Sequence, residues 1–539
     1  MKLFLAQRNF TVGDFDGNRE LILAALDAAA DAAADVVLLP ELATCGYAPQ
    51  DLLLETAFVE ANLRVLDEII AASAKHPRLL AVVGFVEKTD AGIHNSAALI
   101  ADGKLVGTQA KTLLSSYDVF DEERYFEPAR GWHIFDWQGV KLGVSICKDL
   151  REEEYAVKVV PELCKLGAEL IVNISASPFR PGRLLERVEL LRRRATENGV
   201  PIAYCNLVGG QDEVICDGGS MAVGRDGRLA ACAPTFEEAD VMVEFDPASG
   251  DFIGSTEPPV VVKEADLFHA LALGVRDFVR KQGFSQVVIG LSGGIDSSLV
   301  AVIAADALGA QNVLGVAMPS KLSSAHSLED AQALAENLGI DFKVMPIEES
   351  IAVAEKRFAD TFGGYEKSVT RENLQARERG KILMEISNDQ NRFVLAPANK
   401  TEYALGYSTL YGDMAGALAP IADLSKLEVY AVSRWANENL GAPIPQRVLT
   451  KTPSAELAEG QVDPFDYEVI SPLVDAIIEE RAGLTELVAK GFPETEARRC
   501  LRLTRQAEFK RRQAPPMLKV TKKAFGIGRK MPIVNRYGG

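Results

Sequence analysis

The sequence predicts an α/β protein of two domains, with sheets packed between helices in the first half and a doubly wound parallel sheet in the second. Three observations carry that expectation. The chain has 539 residues, too many for one ordinary hydrophobic core. Apolar runs of strand length alternate with helical ones along it. After residue 286, a strand, a glycine turn, a helix and a second strand follow one another as in a parallel βαβ unit.

In the first half, residues 36–39, 80–84, 97–100, 141–146, 170–173, 201–204 and 219–223 read as buried strands. The alanine-rich stretch 21–34 and the run 61–74 read as helices. Pro and Gly punctuation at 246–250 and 257–259 marks a linker, so the expected domains are 1–255 and 262–539. From Asp266 a helix leads to a strand at 286–291, a helix at 296–308 and a strand at 312–317.

An apolar fraction of 47% with 25% charged residues argues for a folded soluble protein and against disordered, fibrous or membrane classes. No apolar run approaches the roughly 20 uncharged residues that span a bilayer. The start has no signal-peptide layout, so a cytoplasmic location is the default expectation. A net charge of −18 opposes a broad nucleic-acid-binding surface. Seven scattered cysteines without a CxxC pair argue against a disulfide framework or a structural zinc site. The acidity is uneven: thirteen lysines and arginines crowd residues 498–536 against Glu508 alone. Such a tail is either a solvated or oligomer-contacting face, or a basic arm that folds over a phosphate-bearing substrate.

The sharpest local signal is Gly290-Leu291-Ser292-Gly293-Gly294-Ile295-Asp296-Ser297-Ser298, between a strand and a helix. Two glycines let the backbone curl so that its N–H groups point at an anion, and the helix start adds a positive dipole end. Ser292, Ser297 and Ser298 offer hydroxyl donors, and Asp296 a carboxylate for a phosphate-bound Mg2+ ion. No Gly-Lys-Ser/Thr follows, which excludes the Walker loop. The string resembles the SGGxDS loop of the PP-loop ATP pyrophosphatases, which cleave ATP between the α and β phosphates.

Further segments narrow the substrate. Asn373-Leu374-Gln375-Ala376-Arg377-Glu378-Arg379 resembles the NxQAR segment of NAD synthetases. Asn399-Lys400-Thr401-Glu402 with 406–413, then 420–426 and 451–457, resemble the next landmarks in order. The resemblance implies that Asp296 and Glu402 hold magnesium and that Lys426 neutralises phosphate charge on ATP. It also implies that Asn373, Glu402 and Asp413 contact deamido-NAD (nicotinic acid adenine dinucleotide), joined by Lys510 from the basic tail. Two departures stand out: Ala396-Pro397-Ala398 replaces a Thr-Gly pair, and 462–467 lacks an acidic Asp-Glu pair.

The first half contains Pro40-Glu41 after a strand, Lys111 before Tyr117-Asp118-Val119-Phe120-Asp121-Glu122, and Gly143-Val144-Ser145-Ile146-Cys147 at a strand end. These resemble, in order and spacing, the Glu-Lys-Cys triad of the nitrilase (carbon–nitrogen hydrolase) superfamily, which implies an α-β-β-α sandwich. Glu41 would be general base, Cys147 the nucleophile that forms a thioester with glutamine, and Lys111 the group that lowers the thiol pKa and steadies the oxyanion. The resemblance places Tyr117, Phe120 and Glu122 beside the triad as part of the glutamine-binding pocket. Ser177 and Arg183 would grip the amino-acid end of glutamine, with Arg180 an alternative to Arg183. The other six cysteines read as structural.

Nearly the whole chain is similar to glutamine-dependent NAD synthetases. That similarity implies a carbon–nitrogen ligase that draws ammonia from L-glutamine, activates deamido-NAD with ATP and Mg2+, and shelters the ammonia on its way. A homo-oligomer without nucleic-acid or membrane partners is expected. Two alternatives stay open: another glutamine-fed PP-loop ligase, and a nucleotide or glutamine sensor with degenerate sites. The intact Glu41, Lys111, Cys147 and Asp296 argue against the sensor.

Overall fold

Strands apolar at every position, such as Leu3, Phe4, Leu5 and Ala6, need cover on both faces. In the computed structural model they receive it. The structure describes residues 1–537; Gly538 and Gly539, the last two residues of the expected 262–539 domain, lie outside the described residues. The chain divides into two compact units, Met1–Val261 and Val262 onward.

The first unit holds a seven-stranded sheet in the order Asp251–Ile253, Ala239–Asp246, Lys2–Gln7, Val36–Leu38, Leu80–Thr89, Gly92–Ala101, Lys104–Ala110. Its six-stranded partner runs Leu229–Cys232, Met221–Val223, Ile202–Asn206, Leu170–Ser175, Val140–Ile146, Ile134–Trp137. Because side chains alternate across a strand, Leu3 and Leu5 join Val144, Ile146, Val172 and Ile174 in one buried cluster between the sheets. Phe4 and Ala6 face the other way, onto Ile22, Leu26, Leu66 and Ile69 of helices Phe15–Asp31 and Thr56–Ser73. On the far side, Ile171 and Ile202 pack on Val160, Leu163, Val188 and Leu191 of helices Val159–Lys165 and Arg183–Asn198. The result is the α-β-β-α sandwich.

Two details differ from the sequence reading. The first helix begins at Phe15 rather than at residue 21, started by Asp14, whose side chain accepts from the Gly17 N–H. The 246–250 punctuation is a hairpin turn, not linker: Asp246 pairs with Asp251 across it. The connection to the second unit follows that hairpin.

In the second unit four strands are all parallel, in the order Asp341–Val344, Val313–Ala317, Val287–Gly290, Phe393–Leu395. Strand order reverses beside Val287–Gly290, and ligands of such sheets bind at the strands' carboxyl ends at that switch point. Helix Ile295–Leu308 is apolar all round because it is covered all round, by the sheet and by helices Lys263–Lys281 and Lys426–Asn439.

The basic C-terminal stretch is largely packed. Arg511, Arg512 and Arg529 converge on the buried Glu508 at 2.9, 3.1 and 2.9 Å. Arg511 also donates to the carbonyls of Tyr403 and Ala404. Among the described residues no helix is long and apolar enough to cross a membrane, and all seven cysteines are free.

Candidate active sites

In the first unit, three strand ends deliver the triad. Glu41 follows Val36–Leu38, Lys111 follows Lys104–Ala110, and Cys147 follows Val140–Ile146. The Lys111 ammonium lies 2.7 Å from Glu41 and 2.8 Å from Glu122, with all three side chains essentially shut off from water. Asn95 donates to Glu41 Oε1 at 2.8 Å and the Ala176 N–H to Oε2 at 2.9 Å. Glu41 is thereby held by three donors on two oxygens. Glu122 additionally accepts from the Ser115 N–H and the Tyr47 hydroxyl. Asp149 ties the segments together by accepting from the N–H groups of Thr112, Leu113 and Ile146.

Cys147 sits at φ +44°, a left-handed backbone that a non-glycine residue adopts only where its surroundings hold it there. Its half-buried thiol opens on a pocket. Burial first, then the Glu41 charge, push the thiol up to about 12; Lys111 pulls the other way without prevailing. The expectation that Lys111 lowers the thiol pKa is thus met in direction and outweighed in sum. Glu41 is also raised, by burial first and then by Glu122 against the pull of Lys111. A neutral thiol beside a carboxylate of raised basicity suits proton transfer during attack rather than a standing thiolate.

Tyr117, Ser177 and Arg183 line the same pocket as Cys147. Arg183 is buried, its Nη2 3.4 Å from the Ser177 hydroxyl, its Nε without a partner, and its nearest carboxylate, Glu186, 3.6 Å away. Burial, with Arg151 and Arg187 nearby, lowers this guanidinium to about 10. An incoming carboxylate would relieve all of that. Arg180, by contrast, is engaged by Glu186. Phe120 and Glu122, expected to bind glutamine, do not line this pocket: Phe120 packs edge-on to Tyr117 at 5.5 Å, and Glu122 holds Lys111. Asn95 and Asp149 escaped sequence reasoning; Asp149 stands two residues past Cys147, whereas Asn95 carries no local signal.

In the second unit the loop 290–298 leaves the carboxyl end of Val287–Gly290, at the switch point. Gly293 has φ +70°, and a Cβ there would lie 2.2 Å from the Ser327 carbonyl oxygen, so only glycine fits. The Ser292 hydroxyl accepts from the Gly294 N–H and meets the Ser297 hydroxyl at 3.1 Å. Ser297 and Ser298 donate back to the Gly294 carbonyl. The N–H groups of Ile295, Asp296 and Ser297 at the start of the helix precede its first i to i−4 bond, from Ser298 to the Gly294 carbonyl, and so have no helical acceptor.

Asp296, on that turn, accepts from Asn399 Nδ2 at 2.8 Å and from Lys426 Nζ at 2.6 Å. Lys426 also lies 3.4 Å from Glu402. Asn399 caps helix Lys400–Leu405, which carries Glu402. Burial, then Asp296, raise the Glu402 carboxyl to about 8. The altered stretch 462–467 bears on this cluster: Tyr467 lies 5.4 Å from the Lys426 ammonium and donates to Asp463 at 2.8 Å. Ala396 and Ala398 of the other departure are buried core residues. Lys400, next to the cluster, is a buried structural cation bound by Asp475 and Glu479 at 3.1 and 3.0 Å.

Asn373, Asp413 and Lys510 gather around one loop. Thr409 donates its hydroxyl to Asn373 at 2.7 Å and its N–H to Asp413 at 2.5 Å. Lys510 Nζ donates to the Gly406 and Ser408 carbonyls. Glu402 begins the same segment, one turn before Gly406.

The carbon-nitrogen hydrolase family model matches residues 5–251, and the NAD synthase model residues 267–514. The chain is 42% identical to the glutamine-dependent NAD(+) synthetase of Synechocystis sp., over 99% of this chain and 98% of that protein. It is 40% identical to the one from Thermotoga maritima, over 100% and 99%. Among solved structures, the glutamine-dependent NAD+ synthetase of Acinetobacter baumannii in complex with ADP superposes with a TM-score of 0.80 at 34% identity, covering 99% of this chain and 98% of that one. The glutamine-dependent NAD(+) synthetase structure from Cytophaga hutchinsonii shares the fold, with a TM-score of 0.83 at 23% identity, covering 99% and 98%.

Proposed function

The chain belongs to the glutamine-dependent NAD(+) synthetases, and from that premise we propose how its residues divide the reaction. Glutamine, with its α-carboxylate on Arg183 and Ser177, presents its amide to Cys147. Glu41 takes the thiol proton as sulfur attacks, and Lys111 steadies the oxyanion. The proton passes to the departing nitrogen, ammonia leaves, and Glu41 activates the water that hydrolyses the thioester to glutamate. In the second unit, ATP phosphates rest on residues 290–298, and deamido-NAD is held by Asn373, Glu402, Asp413 and Lys510. The nicotinate carboxylate attacks the α-phosphorus, pyrophosphate leaves, and ammonia then displaces AMP to give NAD.

The donor set fits a magnesium ion. Asp296 and Glu402 share a single ammonium, and the raised Glu402 carboxyl marks a site short of positive charge. Mg2+ typically takes one or two carboxylates and completes its shell with water and phosphate oxygens. When bound there, it would offset charge on the nucleotide phosphates. Lys426 is then free to turn from carboxylate to phosphate.

What supports this division most is the buried Glu41–Lys111–Glu122 arrangement beside a pocket-facing Cys147 in a chain that also carries the 290–298 loop. The test is formation of NAD from deamido-NAD, ATP and amide-15N glutamine, followed by mass spectrometry. Labelled NAD is expected. Cys147→Ala should abolish labelling from glutamine yet still form NAD from added ammonium, and unlabelled product from the unaltered enzyme would refute the coupling. We further propose a cytoplasmic homo-oligomer, to be checked by fractionation and light scattering.

A further inference from the structure

Around the 290–298 loop most cations are engaged. Lys426 is held by Asp296 and Glu402, and Lys451 lies 3.3 Å from the Ser327 hydroxyl and 3.7 Å from Asp330. Arg379, on helix Ser368–Gln390, differs. Its Nε donates to the Met318 carbonyl at 3.0 Å. Among the described residues, no hydrogen bond or ion pair engages its two amino nitrogens, and neither nitrogen is closed off from solvent.

Two chains of contact tie this guanidinium to the phosphate loop. Met318 directly follows strand Val313–Ala317, and the Leu291 N–H donates to Val316 of that strand at 2.9 Å. Arg379 is therefore anchored two residues beyond the point where the loop leaves the sheet. From the other side, Glu456, the carboxylate whose charge reaches Arg379, accepts from the Ser324 and Ser327 hydroxyls at 3.0 and 2.8 Å. Ser327 is the residue against which Gly293 packs. Although burial lowers Arg379 to about 10, it stays charged at neutral pH. A half-buried guanidinium whose planar pair of amino groups has no protein acceptor among the described residues suits a bidentate oxyanion.

We propose that Arg379 binds the β,γ-pyrophosphate end of ATP and holds it as it becomes the leaving group. The proposal rests on adenylation being the work of the second unit. As a carboxylate oxygen of deamido-NAD bonds to the α-phosphorus, the bond from that phosphorus to the α,β-bridging oxygen breaks. The electron pair departs with pyrophosphate, and the Arg379 fork meets the charge where it grows.

The test uses the full chain with inorganic pyrophosphate and AMP as separate calorimetric probes, and steady-state kinetics with ammonium as nitrogen donor. For Arg379→Gln, pyrophosphate affinity should fall, and KM for ATP rise, by about 10- to 100-fold while AMP affinity moves less than about twofold. Arg379→Lys, which keeps charge but loses the fork, should fall between the two and decides the matter if the Gln variant does not fold. Unchanged pyrophosphate binding, or equal loss of AMP and pyrophosphate, would overturn the assignment and leave Arg379 as a prop for the Met318 carbonyl. Wild-type enzyme that binds both probes but makes no NAD would refute the proposed reaction while leaving the subsite intact.

Discussion

Both units place one lysine between two carboxylates, and the two arrangements differ mainly in water. Lys111, Glu41 and Glu122 are 0, 0 and 5% exposed. Lys426 is 4% exposed, but Asp296 and Glu402 are each 17% exposed. In the first, burial pulls the ammonium down, and Glu122 and Glu41 together outweigh it and hold it charged. Backbone and amide donors take the remaining carboxylate oxygens. Nothing about that cluster needs to rearrange when glutamine arrives at Cys147. In the second, the carboxylates stay within reach of solvent, and in the proposed function the lysine exchanges them for phosphate. On the proposed function, the same charge pattern would serve as fixed machinery where water is excluded and as an exchangeable latch where it is admitted.

Deleting each lysine should separate the two most widely. Lys111→Met strands two carboxylates in a dry interior and should cost about 3–5 kcal/mol of stability, with glutamine-dependent activity lost. Lys426→Met leaves carboxylates that water can reach and should cost about 1–2 kcal/mol, while both glutamine- and ammonium-dependent NAD formation fail. Urea unfolding with paired activity assays measures both; equal stability losses would erase the distinction.

A smaller effect concerns the thiol. Because Cys147 is pushed up to about 12, its thiolate fraction rises with pH across the whole neutral range. Chloroacetamide labelling of Cys147, with Cys147→Ala as the blank, should accelerate about tenfold per pH unit from 7 to 10. A plateau below pH 9 would mean that Lys111 keeps a standing thiolate after all.

The smallest expected change is a shift of a pH limb. The Glu122 charge raises Glu41, so Glu122→Gln should lower it. The base then stays ionised to lower pH, and the acid limb of kcat/KM for glutamine moves toward acid. Movement toward alkali would show that Glu122 acts chiefly by fixing Lys111.

Much of this architecture is legible in local sequence. Sheets packed between helices follow from strands apolar on both faces, the α-β-β-α layering from the resemblance to the nitrilase superfamily, and the parallel sheet from the strand–turn–helix–strand order after residue 286. The loop 290–298 is legible because its two glycines and serines serve one local turn. Legibility stops where partners are distant. Asn95 reaches Glu41 across 54 positions, and Asn399 reaches Asp296 across 103. Pro and Gly at 246–250 have the composition of a linker and the geometry of a hairpin. The basic C-terminal stretch looked like a solvated arm or a substrate cover; much of its charge, Lys510 included, is absorbed by Glu508 and by backbone carbonyls.

The order of residues along the chain by itself determined the strand and helix periods, the tight turn at Gly293 and the chemical types available at Glu41, Lys111, Cys147 and Asp296. These depend on neighbours within a turn or a strand, where covalent connection sets the geometry. Tertiary structure alone decided how basic Glu41 is, how reluctant the Cys147 thiol is to ionise, and which guanidiniums, Arg183 and Arg379, keep nitrogens without a hydrogen-bond acceptor. Those properties come from desolvation and from charges brought together by folding, and both are set by what packs around a group rather than by what precedes it in the chain.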